Sequence, residues 1–267
     1  MSRLFEPLRL RGVETRNRVF VSPMCQYSCV DGLVSDWHLA HLGARAVGGA
    51  GLVIGEATAV CPEGRISPAD SGLWNDAQAE AWARVARFVR AQGAAPGLQL
   101  AHAGRKASTA TPWDGGGAVP PERGGWTPLA PSALAFDAGY ALPREMTPAD
   151  INAVPAQFAA AAGRALAAGF EVIELHFAHG YLVHEFLSPL CNRRTDAYGG
   201  GFDGRARLAL EIVDAVRRIW PERLPLFVRV SATDWADGGW DLPQTVELAR
   251  RLKTRGVDLI DCSSGGA

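Results

Sequence analysis

Two imidazoles and a phenol cluster at residues 174–181, which read ELHFAHGY, where an apolar run opens into a loop. His176 and His179 could donate two hydrogen bonds to one substrate oxygen, and Tyr181 could supply a proton. Satisfied polar groups at a strand end are the alternative interpretation. A metal site is a third, but it lacks the helical His-Glu-x-x-His pattern and an obvious further ligand. We therefore expect no metal.

A second set of hydrogen-bonding groups lies in Ser22-Pro23-Met24-Cys25-Gln26-Tyr27, directly after a short apolar run. A hydroxyl, a thiol and backbone amides at a strand end could hydrogen-bond a flat heteroaromatic cofactor. The competing interpretation is a simple strand-to-loop turn at Pro23, and this segment alone does not decide between them.

Polar side chains also interrupt two other apolar runs. Gln99 carries an amide that both donates and accepts, as the edge of a pyrimidine-like ring requires. Arg229 would place a guanidinium inside the fold, where it needs an anionic partner. That partner could be a bound ligand, or it could be Glu56 or Glu174 in an ion pair.

The elements that position these residues alternate between short strands and amphipathic helices. Apolar, β-branched runs predict six strands, at Arg18–Ser22, Gly51–Thr58, Gly97–Ala101, Phe170–His176, Leu226–Ser231 and Val257–Ser263. Apolar stripes at helical spacing lie between them, namely Trp82/Val85/Ala86/Val89, Ile151/Val154/Phe158/Ala162/Ala165, Leu208/Ile212/Val216/Ile219 and Val246/Ala249/Leu252. Thr147 followed by Pro148 and Asp150 predicts a helix start, and Gly169 predicts its end.

This alternation predicts a parallel sheet in a single α/β domain spanning residues 1–267. Two features favour a (β/α)8 barrel over an open dinucleotide-binding sheet. No Gly-x-Gly-x-x-Gly turn follows the first strand. In addition, Glu56, Gln99, Glu174, His176 and Arg229 have the parity that would face a barrel lumen. A closed barrel needs eight strands, so we expect this chain to lack the last two βα units.

Long loops follow the third and fourth predicted strands, at 103–146 and 177–204. The first is rich in Gly and Pro and contains Trp113 and Trp126. Loops of this length are unusual in a compact domain unless they act as lids or binding loops. Both would lie on the catalytic face of a barrel.

Composition excludes several other classes of protein. Hydrophobic residues make up 48% of the 267 residues and charged residues 21%, so a large core is available. The formal charge is −1 and no basic stripe is present, which argues against binding to nucleic acid or to an anionic membrane. No signal peptide or membrane span is predicted, and five dispersed cysteines argue against a disulfide framework. We expect a cytoplasmic protein with reduced thiols.

Several segments together resemble the old yellow enzymes, in particular the bacterial class with a cysteine near the flavin. The matching segments, in chain order, are Asn17–Val19, Ser22–Tyr27, Glu56–Val60, Gln99–Lys106, Ala130–Ala133, His176–Pro189, Asn192–Gly200 and Phe227–Ser231. They span nearly the whole chain. The resemblance implies an FMN-dependent ene-reductase on a TIM barrel, with NADPH or NADH as hydride donor.

The resemblance also implies a role for each matching residue. The implied FMN contacts are Ser22, Pro23, Met24, Cys25, Ala57, Gln99 and Arg229. Within this set Gln99 would face the pyrimidine edge, Arg229 would stabilise the reduced flavin, and Cys25 would tune its potential. His176 and His179 would bind the carbonyl or nitro oxygen of the substrate, Tyr181 would donate the proton, and Tyr27 would line the pocket.

The implied partners are an α,β-unsaturated carbonyl or nitro compound and the nicotinamide donor, and a homo-oligomer is compatible with the resemblance. In relatives the final strands supply the FMN phosphate site, so a chain without them should hold FMN weakly. The main alternative is therefore a truncated, non-catalytic barrel remnant that cannot hold FMN. A metal-dependent lyase or hydrolase using His176 and His179 is the other.

Overall fold

Six parallel strands form the central sheet of the computed structural model, which describes residues 3–267. Along the sheet the order is β10–β9–β8–β5–β4–β3. The strands are β3 (Phe20–Val21), β4 (Leu52–Ala59), β5 (Ala95–Ala101), β8 (Val172–Phe177), β9 (Leu226–Ser231) and β10 (Leu259–Ser263). Two small sheets lie outside it, formed by β1 (Leu8–Leu10) with β2 (Val13–Thr15) and by β6 (Leu129–Ala130) with β7 (Arg144–Glu145). All six strands predicted from the sequence are confirmed, with shifted ends.

Helices connect successive strands of the sheet, as parallel pairing requires. They are α1 (Asp36–Val47), α2 (Asp76–Ala91), α3 (Pro148–Ala168), α4 (Leu182–Leu187), α5 (Phe202–Ile219) and α6 (Leu242–Thr254). This is the strand-and-helix arrangement of an α/β barrel over its first six strands. The expectation that two further βα units complete the barrel stays a prediction. None of the helices within residues 3–267 combines the length and apolar character needed to cross a membrane.

The predicted start and end of α3 are confirmed. The Thr147 side chain accepts from the backbone of Asp150, whose side chain accepts from the Thr147 backbone, and Gly169 ends the helix with φ +90°. Glycine adopts this left-handed conformation at little cost, because it has no Cβ. Two of the predicted apolar stripes were partly wrong, because Ile219 is 48% exposed and Val246 is 41% exposed. In α6 the buried residues are Leu248 and Leu252.

Strand register places the polar residues of the inner face side by side. Ala57 pairs with Gln99, Gln99 with Glu174, and His176 with Arg229. Directly paired residues in a parallel sheet point to the same face, and residues two apart share that face. The lumenal prediction for Gln99, Glu174, His176 and Arg229 is therefore supported by the register.

Glu56 is the exception, and its predicted lumenal position was wrong. The register between β4 and β5 shifts between Gly55 and Ala57, so Glu56 is the extra residue of a β-bulge. Its carboxylate contacts His38 on α1 at 2.7 Å and accepts from the Gln26 amide at 2.7 Å. The alternation of side chains along a strand fails at a bulge, which is why the parity argument misplaced this residue.

Candidate active site

His176, His179 and Tyr181 meet where β8 ends. The ring centroid of His176 lies 4.9 Å from that of His179 and 4.9 Å from that of Tyr181. Both contacts are edge-to-face, with interplanar angles of 82° and 78°. The structure thus brings together the two imidazoles and the phenol that the sequence singled out.

The tautomer of His176 follows from its backbone contact. Its Nδ1 accepts a hydrogen bond from the Ala178 amide at 3.2 Å, so the ring hydrogen is on Nε2. Burial, followed by the electrostatic effects of His179 and Arg229, holds the pKa of His176 well below its ordinary value. The ring is therefore a neutral donor through Nε2.

His179 is also neutral, and its surroundings accommodate either tautomer. Burial and then Arg229 lower the pKa of His179 to about 4. Its Nε2 lies 2.7 Å from the Ser263 hydroxyl, which can donate or accept and so serves either tautomer. Burial, followed by nearby acidic groups, raises the pKa of Tyr181 well above 10. The phenol therefore stays protonated across the physiological range and can donate.

The turn that carries these groups has an unusual backbone. His179 has φ +62° and Gly180 has φ +69°, so two successive residues are left-handed. For a histidine this conformation costs on the order of 1–3 kcal/mol unless its surroundings impose it. Lys106 donates from Nζ to the His179 carbonyl at 2.8 Å, and Ser231 accepts from the His179 amide at 2.9 Å. Contacts from other strands and loops thus fix the turn.

The adjoining part of the lumenal face carries the groups predicted to contact a flavin. Gln99 is 2% exposed, and its Nε2 donates to Glu174 Oε1 at 2.7 Å. Burial, followed by the charge of Asp261, raises the pKa of Glu174 to about 7. With one amide hydrogen committed to Glu174, Gln99 keeps its carbonyl oxygen and a second N–H for a ligand.

Arg229 pairs with Asp261 of β10, with 3.3 Å between Nε and Oδ2. The ion-pair alternative had named Glu56 or Glu174, and the partner is neither of them. Arg229 Nε nevertheless has no well-aligned hydrogen-bond acceptor within residues 3–267, although it is buried. A guanidinium with unused hydrogen-bonding capacity suits an anionic or electron-rich ring edge.

The segment after β3 lies partly buried against this face. Pro23 is buried, Ser22 and Met24 are exposed, and Cys25 and Tyr27 are half-buried. Burial raises the pKa of the Cys25 thiol well above its usual value, with Asp70 and Glu56 adding to the effect. The thiol is therefore protonated. This state is compatible with tuning of the flavin potential, whereas a nucleophilic cysteine would have to be a thiolate.

These donors fit the isoalloxazine of FMN. The Gln99 amide and the Arg229 guanidinium complement the alternating donors and acceptors of a pyrimidine edge, and the small residue Ala57 pairs with Gln99. The unused hydrogen-bonding capacity of Arg229 is the observation that supports this fit most directly.

A cavity of about 400 Å³ opens beside the phenols. Tyr27, Tyr140, Tyr181 and Lys106 line it, together with Gly115–Gly117 of the long loop after β5. This volume lies in the range of small-molecule sites. The Gly-rich loop therefore lines a cavity beside Tyr181, and its role as a lid or binding loop stays a prediction.

A separate cluster of Cys29, His38 and Glu56 has the residue types of a metal site, with ligand atoms within 4.8 Å of one another. The Ser35 amide donates to His38 Nδ1 at 3.1 Å, which places the ring hydrogen on Nε2. That nitrogen lies 2.7 Å from Glu56 Oε1 and makes a 3.4 Å hydrogen-bond contact with the Cys29 sulfur. A metal would have to displace this hydrogen, so the cluster is best described as a protonated imidazole nitrogen beside a buried thiol and a buried carboxylate.

Sequence reasoning missed two residues that hold the backbone of the catalytic turn. Lys106 binds the His179 carbonyl, and His184 binds the neighbouring Gly180 amide. His184 lies on α4, a six-residue helix too short for a periodic signal. Its only sequence signal was its place four residues after Gly180, within reach along one helical turn.

The NADH:flavin oxidoreductase / NADH oxidase family model matches residues 3–267. The chain belongs to this family. It is 49% identical over 279 residues to the NADH:flavin oxidoreductase FG08077 of Gibberella zeae, covering 99% of this chain and 68% of that protein. It is 46% identical over 265 residues to the NADPH dehydrogenase of Bacillus subtilis, covering 98% of this chain and 73% of that protein.

The solved structure of the old yellow enzyme homologue from Zymomonas mobilis superposes with a TM-score of 0.84 at 28% identity. The match covers 98% of this chain and 73% of that one. The resemblance to the old yellow enzymes is therefore confirmed. The protein is an oxidoreductase of that family, with FMN as cofactor and NAD(P)H as reductant.

Proposed function

We propose that the protein reduces the C=C bond of α,β-unsaturated carbonyl or nitro compounds. The observation that carries this proposal is the convergence of a neutral His176 donor, His179 and the protonated Tyr181 at one strand end. That end adjoins the face carrying Gln99 and Arg229. Hydrogen-bond donors and a proton source beside a hydride donor are the groups that this reaction needs.

When bound and reduced by NAD(P)H, FMN supplies the hydride that adds to the β-carbon of the substrate. Ser22, Pro23, Met24, Cys25, Ala57, Gln99 and Arg229 would hold it. The Gln99 carbonyl and its free N–H would bind the pyrimidine edge, and Arg229 would balance negative charge gathering there.

The substrate oxygen would accept from His176 Nε2 and from His179. Because both rings are neutral, they act as hydrogen-bond donors to the developing oxyanion rather than as proton donors. The Tyr181 hydroxyl gives its proton to the α-carbon, so one hydride and one proton saturate the double bond. Tyr27 and Tyr140 line the cavity that would hold the rest of a small, flat substrate.

A non-catalytic remnant is not favoured, because His176 and Tyr181 are in contact and Gln99 is held by Glu174 on the adjoining face. The test is product analysis with FMN, NADPH and 2-cyclohexenone in D₂O. We expect cyclohexanone with deuterium at the α-carbon, delivered through the exchangeable Tyr181 proton. Oxidation of NADPH without consumption of the enone would overturn the substrate assignment while leaving the flavin oxidoreductase intact.

A further inference from the structure

A buried imidazole–carboxylate pair lies behind the catalytic turn. The side chains of His184 on α4 and Asp234 in the loop after β9 are both fully buried. His184 Nδ1 accepts from the Gly180 amide at 2.8 Å, and its Nε2 lies 2.8 Å from Asp234 Oδ1. Gly180 directly precedes Tyr181 and directly follows His179.

The groups at the two ends of this series of hydrogen bonds, Gly180 and Asp234, determine where its hydrogens lie. A backbone amide can only donate, so His184 Nδ1 is an acceptor and the ring hydrogen is on Nε2. Nε2 then donates to Asp234. The other carboxylate oxygen of Asp234 accepts from the Ser188 hydroxyl at 2.6 Å and from the Trp240 amide at 2.7 Å.

Asp234 is suited to hold this arrangement as an anion. Burial alone would raise its pKa, but the hydrogen bonds from His184 and Ser188 outweigh burial and hold the pKa below its ordinary value. A permanent carboxylate accepts and does not donate, so it keeps the His184 hydrogen on Nε2 and leaves Nδ1 free for Gly180. The carboxylate thus selects the tautomer that the turn needs.

The turn depends on such a partner for two reasons. Gly180 is buried, and a buried amide without an acceptor costs on the order of 1–3 kcal/mol. The left-handed conformation of His179, which is costly for a residue with a Cβ, also has to be imposed from outside the turn. Lys106 and Ser231 bind the backbone of His179, while His184 binds the backbone of Gly180.

We propose that His184, with its tautomer set by Asp234, is a positioning residue that fixes the approach of His179 and Tyr181 to the substrate. This inference rests on the roles proposed above for those two residues. His184 itself touches neither substrate nor cofactor and acts through the Gly180 amide.

Two substitutions separate the two hydrogen bonds of His184. In His184→Asn the side-chain oxygen is as many bonds from the backbone as Nδ1 of histidine. It can still accept from the Gly180 amide, whereas the contact with Asp234 is lost. In His184→Gln the side-chain amide nitrogen is as many bonds from the backbone as Nε2 of histidine. It can still donate to Asp234, whereas the Gly180 amide loses its acceptor. Both variants replace the ring by an amide, so they are matched controls for lost packing.

The experiment measures each variant loaded with FMN, following flavin reduction by NADPH and flavin reoxidation by 2-cyclohexenone separately. We expect His184→Gln to slow reoxidation by about 10-fold or more while reduction is unchanged, since small misplacements of reacting groups have effects of this size. His184→Asn should retain most of the rate. Amide exchange at Gly180 should accelerate in His184→Gln and not in His184→Asn.

Equal losses in the two variants would show a merely structural role and overturn the proposal, as would wild-type reoxidation in His184→Gln. Nitrogen NMR of the unsubstituted protein is an independent check that needs no variant. It should show the Nε2–H tautomer at His184, and the Nδ1–H tautomer would contradict the proposal. Normal reoxidation in His179→Ala and Tyr181→Phe would instead refute the proposed function itself.

Discussion

Replacing Tyr181 by Phe deletes the proposed proton donor and preserves the ring that packs 4.9 Å from His176. Because the ring contact survives, the loss should fall on proton transfer rather than on the shape of the pocket. A positioned general acid contributes about 10²- to 10⁴-fold, so reoxidation by 2-cyclohexenone should slow by at least the lower figure. Flavin reduction by NADPH needs no proton from this group and should hardly change.

The pKa of Tyr181 adds a second, independent expectation. It is raised well above 10 by burial, so the phenol stays protonated and reoxidation by the unsubstituted protein should show no alkaline loss from this group below pH 10. Anaerobic stopped-flow absorbance resolves the two half-reactions at each pH. Equal losses in both half-reactions of Tyr181→Phe would refute proton donation and leave only a role in forming the pocket.

The other predictions concern an oxyanion donor, the thiol and a buried acid. His179→Ala should slow reoxidation by about 10²-fold, the effect of losing one such donor, without releasing FMN; an unchanged stopped-flow rate would remove His179 from the site. Cys25→Ala should shift the flavin midpoint potential and change both half-reactions modestly; loss of turnover with FMN bound would indicate covalent catalysis. Burial raises the pKa of Glu185 to about 8, so its stabilising effect is full below its unfolded pKa near 4.5 and is lost as pH rises through 8. The urea midpoint should therefore fall from pH 5 to pH 9 more in the native protein than in Glu185→Gln, and equal falls would contradict this.

The fold was predictable because its signals are local and repeated. Each strand of the main sheet had an apolar, β-branched run, and α3 had a complete cap at Thr147 and a terminating Gly169. The misplaced stripe residues lie where a helix face turns away from the sheet. Ile219 is the last residue of α5 and lies at the surface. A periodic pattern along one helix does not show where the elements packed against that helix end.

The site was predictable only as far as residue types reveal chemistry. The cluster of His176, His179 and Tyr181 was predictable because these residues are close in sequence. The register of the parallel sheet then places Gln99 and Arg229 on the same face as His176. Contacts between distant segments could not be foreseen in the same way. The ion pair between Arg229 and Asp261 is an example, because any of several acids could have supplied the partner.

Glu56 and His184 show the same limit in two other forms. A one-residue bulge turned Glu56 from the lumen to His38. Gly55 is its only local signal, because glycine inside a strand often marks a bulge but does not show which side chain it redirects. His184 lies within one helical turn of Gly180, but its link to Asp234 spans 50 positions in the chain. Such contacts are decided by tertiary packing.

The most direct test of the account follows one flavin through both halves of the reaction. The protein, at an FMN concentration that saturates it, is mixed anaerobically with NADPH and then with 2-cyclohexenone while flavin absorbance is recorded. The account predicts that NADPH bleaches the oxidised flavin band and that the enone restores it, with cyclohexanone as product. A reduced flavin that oxygen reoxidises but the enone does not would contradict the proposed ene-reductase activity.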